Sequence, residues 1–167
     1  MVHRKLKSIS YVVLLLLAVI TCDNVQAQSK YIFLNLELGR TTYEEALRQV
    51  KNSKYKNCYK INNGSIFIVT PSVTQNDGTV WDYADIHFSE NRINNIHFHS
   101  TSTNHNTEYI NTRYTQLKNK FDASSSYTFW YDEGSAILYK YNGDCARLDM
   151  FNSNAAGKVV EIQYIDL

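Results

Sequence analysis

Hydrophobic and polar positions alternate with period two through much of the chain, most clearly over residues 84–99, ADIHFSENRINNIHFH. Ile86 and Phe88 alternate with polar neighbours, a polar turn follows, and Ile93, Ile96 and Phe98 return. Period-two alternation through a polar turn predicts an antiparallel hairpin with one buried face. Pairing Ile86 with Ile96 and Ala84 with Phe98 turns every large apolar residue except Ile93 inward. Tyr83, Asp85 and His87 then lie outward, opposite His99, His97 and Asn95. The chain closes on a second copy of the pattern, in which Leu148 and Met150 alternate, a longer turn intervenes, and residues 158–164, KVVEIQY, return.

Ahead of the first hairpin, residues 30–38 read as a short extended lead-in. Thr41 and Thr42 each stand three residues before a glutamate, Glu44 and Glu45, the spacing of a capping box at a helix start. Tyr43, Ala46, Leu47 and Val50 then fall on one helical face, and the helix is expected to end near Lys54. Asn63-Gly64 predicts a type I′ hairpin in which Ile61 faces Ile66 and Tyr59 faces Ile68. The following serine makes the same triplet a glycosylation sequon in a eukaryotic secretory protein. Residues 70–78 read as a polar connection. After a Ser/Thr/Asn/His linker at 100–106, a second helix is expected over 107–121, where Ile110, Tyr114, Leu117 and Phe121 recur at helical spacing. An aromatic strand over 127–131 and strands on either side of Asn142-Gly143 follow, pairing Tyr139 with Ala146 and Ile137 with Leu148. Pairing Leu148 with Ile162 in the last hairpin sets Asp149 opposite Glu161, a like-charge pair that a bulge could relieve.

Each half therefore reads as a helix followed by four strands. The helix ends QVKNSKY and QLKNKF match with one deletion, which supports duplication alongside the closing hairpins. The predicted fold is α+β: two tandem helix-plus-four-strand repeats, about 30–100 and 107–167, forming an antiparallel sheet with helices on one face. Residues 28–167 are expected to make a single domain.

The first residues, MVHRKLK, are basic, and residues 11–20 are apolar without interruption. That run is too short for a stable membrane span and has the flanks of a secretory signal over residues 1–27. Val25-Gln26-Ala27 offers small residues for cleavage before Gln28, while residues 19–22 resemble a bacterial lipobox in which Cys22 would carry a lipid anchor. Both routes place the protein in the periplasm, cell envelope or medium. Three of the 17 Lys/Arg and one of the 16 Asp/Glu fall in residues 1–27, leaving 14 and 15. So even a balance supplies no electrostatic footprint for nucleic acid or an anionic membrane. Cys58 and Cys145 are the two cysteines beyond residue 27, and in an oxidising compartment they are the candidate disulfide.

The chemistry-bearing residues gather on the first hairpin. His97 and His99 share a strand face, with Asp85, His87 and Tyr83 opposite, and imidazole pairs of this kind bind zinc or copper. No third ligand is set by a motif, and an exposed polar strip is the plainer reading. The serines lack a nucleophile-elbow context, the glutamate pair at 44–45 belongs to helix capping, and the glycines mark turns. No catalytic residue, resident metal or cofactor is therefore assigned. Trp81, Tyr83 and Trp130 lie on predicted strands, where aromatics on an uncovered sheet face would serve as rigid anchors for a protein partner.

A signal sequence followed by two helix-plus-sheet repeats, each closing in a hairpin with alternating Ile and Phe/Tyr, resembles small exported bacterial proteins of the β-lactamase-inhibitor-protein-like class. The segment VQAQ looks like those of Bacteroides-type secreted proteins. No motif matches the inhibitory residues one by one, so inhibition of β-lactamases is not implied. What the resemblance implies is a non-enzymatic binding module using its open sheet face, with Trp81, Tyr83, Asp85, His87, His97, His99 and Trp130 as candidate contact residues. The alternative is a small-molecule or metal-binding protein, or an unrecognised hydrolase, working through the Asp85, His87, His97 and His99 strip.

Overall fold

The computed structural model describes residues 31–141 and 143–167. The expected signal, its cleavage point and Cys22 lie outside the described residues, as does Asn142 of the second Asn-Gly turn. The element order is α1 (Tyr43–Lys51), β1 (Tyr59–Asn62), β2 (Ser65–Thr74), β3 (Val80–Ser89), β4 (Arg92–Thr101), α2 (Thr107–Ala123), β5 (Tyr127–Asp132), β6 (Ala136–Tyr141), β7 (Asp144–Ser153) and β8 (Gly157–Ile165). The class is α+β. One eight-stranded sheet runs in the order β1-β2-β3-β4-β8-β7-β6-β5, so two four-strand meanders meet where β4 pairs with β8.

Local chemistry explains the elements. Thr42 caps α1: its hydroxyl accepts the Glu45 N–H, and the Glu45 carboxylate accepts the Thr42 N–H at 3.0 Å, completing the expected box. The helix stops at Asn52, before Lys54. Asn106 caps α2 by accepting the Tyr109 N–H at 2.7 Å, and Ile110, Leu117 and Phe121 are its buried face. Asn63 and Gly64 both have positive φ, as a type I′ turn requires, and the register places Ile61 opposite Ile66 and Tyr59 opposite Ile68.

Both helices cover one sheet face. Ile66, Ile68, Ala84, Ile86, Ile96, Phe98, Ala146, Leu148, Ile162 and Tyr164 form one core with Ala46 and Val50 of α1 and the buried face of α2. Burying each large side chain contributes about 1.5–3 kcal/mol. Phe98 is central, meeting Phe33 and Tyr164 edge-on at 5.6 and 6.2 Å. A buried polar chain ties the two meanders together. The Trp81 indole donates to Gln75 Oε1 at 2.7 Å, Gln75 Nε2 donates to the Tyr164 hydroxyl at 3.1 Å, and that hydroxyl lies 2.6 Å from the Tyr127 hydroxyl. Each polar atom in the chain is paired, so burial costs little.

Five expectations need correction. Residues 31–42 form turns with isolated bridges Phe33–Leu36 and Thr42–Arg92, not an extended lead-in. Strand β2 continues to Thr74 through residues read as a connection: between the pairs Val69–Tyr83 and Val73–Trp81 three residues of β2 oppose one of β3, the kind of irregularity at which a strand tolerates proline. Ile93 is fully buried, since a bulge at His87/Phe88 advances β4 by one residue and turns Ile93 inward opposite Phe88.

Trp81 is only 1% exposed and lies in the core, its ring 6.1 Å from Phe98 and with the Arg113 guanidinium 5.1 Å from its centroid. Simple alternation from Tyr83 would turn it outward. Here the β3–β4 ladder ends at Tyr83–His99, and beyond it the Thr101 N–H is taken by the Asp82 carboxylate at 2.9 Å, so the strand leaves the regular phase. Finally, Cys58 and Cys145 are both free thiols. Cys58 precedes β1 at one edge and Cys145 lies on β7, five strand spacings away. At about 4.8 Å per spacing they stand roughly 24 Å apart across the sheet, far beyond the reach of a disulfide.

Candidate functional site

The face opposite the helices carries two cross-strand rows. One runs Phe67, Asp85, His97, Gln163, Arg147, Leu138, Tyr131, and the other Tyr83, His99, Glu161, Asp149, Ala136. Both follow from period two: once the β3–β4 hairpin buries Ile86 and Phe98, the residues between them must face away. No described helix packs against these rows. The expected pairs Asp85–His97 and Tyr83–His99 are present, and the β4–β8 seam adds Gln163 beside His97 and Glu161 beside His99.

The side chains interact closely. His99 Nδ1 lies 2.9 Å from Glu161 Oε2, a close contact that is not directed as a hydrogen bond. Gln163 Nε2 donates to Glu161 Oε1. Tyr83 stacks on the His99 ring at 4.4 Å with an 11° interplanar angle. The His97 ring lies 5.7 Å from that of His99 and 4.8 Å from that of His87. His97, His99 and Glu161 each offer a donor atom within 4.8 Å of the others.

The like-charge pair Asp149–Glu161 forms in regular register, without a bulge. Its relief is lateral: Arg147 reaches Asp149 at 3.2 Å and Glu133 at 3.1 Å, while His99 and Gln163 face Glu161. Burial holds the His97 imidazole down to about 4, reinforced by His99 and His87 and opposed by Glu161 and Asp85. His87 is shifted the other way by its contact with Asp85. Burial pushes the Glu161 carboxyl up, but His99 and Gln163 outweigh it and the net shift is downward.

A second cluster adjoins the first. Ser65 Oγ lies 3.0 Å from His87 Nδ1, and His87 Nε2 lies 2.9 Å from Asp85 Oδ2. Hydroxyl, imidazole and carboxylate stand in the order that acyl transfer uses, but Ser65 opens an ordinary strand, not a strained elbow. Trp130 lies elsewhere, on the edge strand β5. It is the extra residue of a bulge between Phe129 and Tyr131, 45% exposed, with the Lys140 ammonium 5.4 Å from its ring centroid. The structure thus assembles Tyr83, Asp85, His87, His97 and His99, leaves Trp130 at the sheet edge and removes Trp81 to the core.

Sequence reasoning missed Glu161, Gln163, Arg147 and Asp149 as members of this group. They belong to the second half of the chain, and no spacing rule announces that β8 docks on β4. The one available signal was the uncompensated Asp149–Glu161 pairing, which asks for a cation nearby. Two shallow concavities lie away from the strip, one between α2 and residues 77–80 and one around α1. Comparison with protein-family models, with characterised proteins and with solved structures yields no match to this chain.

Proposed function

We propose that this protein is an exported, non-enzymatic binding module that docks a protein partner on the sheet face opposite its helices. The observation that carries this reading is that no described helix covers that face, on which the part-exposed Phe67, Tyr83, Leu138 and Arg147 and the exposed Tyr131 share the two cross-strand rows. Aromatic side chains and arginine are the residue types enriched where proteins dock. Seven spacings of about 4.8 Å make the sheet roughly 34 Å wide. With strands about 23 Å long, the face offers on the order of 800 Å², the area one partner contributes to a standard interface.

Duplication of a helix-plus-four-strand unit is part of the proposal. Two meanders, each preceded by a helix, and matching closing hairpins support it. The likeness to the β-lactamase-inhibitor-protein-like class agrees with such use of the face. The test pairs Tyr83→Ala with Arg147→Glu. Partners captured from the native envelope by the wild-type protein are purified, and their binding to wild type and to the folded double variant is measured. At least a tenfold loss is expected; equal affinity for both would overturn this face as the docking surface.

A further inference from the structure

We propose that His97, His99 and Glu161 form a binding site for a zinc-class divalent transition metal ion. The site goes beyond the docking function and does not depend on a partner. Three observations converge on it.

The first is donor chemistry and placement. Two imidazoles at positions i and i+2 of β4 share one face, and β8 lays a carboxylate directly opposite His99. Two histidines and one glutamate are a zinc ligand set that leaves a fourth position open. The three donor atoms lie within 4.8 Å of one another. A tetrahedral ion with donors at about 2.1 Å holds them roughly 3.4 Å apart, so they must close by about 1.4 Å. Only the widest separation closes by that much, while His99 Nδ1 and Glu161 Oε2, now 2.9 Å apart, open slightly; both are within reach of side-chain torsion, with the strands held in place by the β4–β8 ladder.

The second observation is the pairing of His99 with Glu161. The buried His99 Nδ1 stands 2.9 Å from Glu161 Oε2, so imidazole and carboxylate already turn toward one another. The third is charge. Asp149 and Glu161 stand side by side on β7 and β8, and Arg147 reaches only Asp149 among the two. A divalent cation on Glu161 removes the remaining like-charge repulsion.

The surroundings match a tuned site. Gln163 holds the second Glu161 oxygen, and Tyr83 stacked on His99 sets that ring's plane. His87 is held by Asp85 and Ser65 and stays outside the ligand set. The fourth position opens on the face away from the helices, where water or a donor atom of another molecule can complete the shell.

The experiment uses the purified exported protein, stripped with chelator and titrated with zinc chloride alone. Calorimetry and metal analysis after dialysis are expected to show one equivalent, and cobalt substitution a visible ligand-field spectrum with imidazole contribution. His97→Gln and His99→Gln should each weaken zinc at least about 100-fold, more than the 10–100-fold of an outer-shell change such as Gln163→Ala. His105→Gln, remote from the site, should leave affinity unchanged. If the glutamine variants do not fold, the zinc-induced rise in melting temperature and the cobalt spectrum of the wild type decide. Less than a tenth of an equivalent retained with no thermal shift overturns the site, as does full affinity in folded His97→Gln or His99→Gln. Because zinc is measured without any partner, failure here leaves the docking proposal standing, and the reverse holds.

Discussion

Replacing Trp81 tests the placement that most separates the structure from the pattern of the chain. As a contact residue on an exposed face, Trp81→Ala would cost binding and little stability. In the core it should do the opposite. Truncating a buried aromatic costs about 3–5 kcal/mol in transfer and cavity terms. The change also leaves Gln75 Oε1 without the indole N–H that now lies 2.7 Å away, adding about 1–3 kcal/mol. The Arg113 contact at 5.1 Å contributes on the order of 0.5–1 kcal/mol. These overlap, since the cavity admits some relaxation and water, so the expected loss is about 5 kcal/mol, a large share of the about 5–15 kcal/mol that stabilises a typical domain. Trp81→Phe, which keeps most of the ring and loses the N–H, should cost about 2 kcal/mol. Urea denaturation followed by far-UV circular dichroism, with the m-value held in view, is the assay, since a signal from the backbone survives loss of the indole. A loss below about 2 kcal/mol for Trp81→Ala with an unchanged m-value would refute the burial argument.

Asp82→Ala should free the linker after β4, because its carboxylate accepts the Thr101 N–H at 2.9 Å and Asn104 Nδ2 at 3.1 Å and contacts His105 Nε2 at 2.8 Å. A loss of about 2–3 kcal/mol and faster amide exchange at Thr101 are expected, and unchanged exchange there would count against it. In metal-free protein His97, whose folded value of about 4 lies below the ordinary 6.5, takes up protons on unfolding, so stability should fall as pH drops from 6.5 toward 4. His87 acts in the opposite sense: its raised folded value contributes stability that is present below 6.5 and lost as pH rises through that value. Urea midpoints across this range should flatten in His97→Gln; an unaltered slope would show that another group controls it. With thiol reagent, the half-buried Cys58 should react in native protein, and Cys145, buried and with its thiol pushed up by burial, only after unfolding. Unfolded, unreduced protein without free thiols would contradict the roughly 24 Å separation.

The sequence by itself determined what depends on neighbours along the chain. The Thr42–Glu45 box, the Asn63-Gly64 turn, the helical face of Ile110, Leu117 and Phe121, and the registers that set Asp85 opposite His97 and Leu148 opposite Ile162 all follow from capping, turn geometry and two- or 3.6-residue periods. Where a bulge intervened, the period broke: Ile93 and Trp81 turned inward because an extra or unpaired residue shifts the phase of everything beyond it. Tertiary structure alone decided the β4–β8 seam. Pairing between residues 58 to 70 positions apart is chosen by how two meanders bury their shared core, a sum over many weak contacts that leaves no mark at either strand. That choice brought Glu161 and Gln163 to the histidines of the first hairpin and set Cys58 and Cys145 in different halves of the sheet, because long-range packing selects among surfaces that local pattern leaves equivalent.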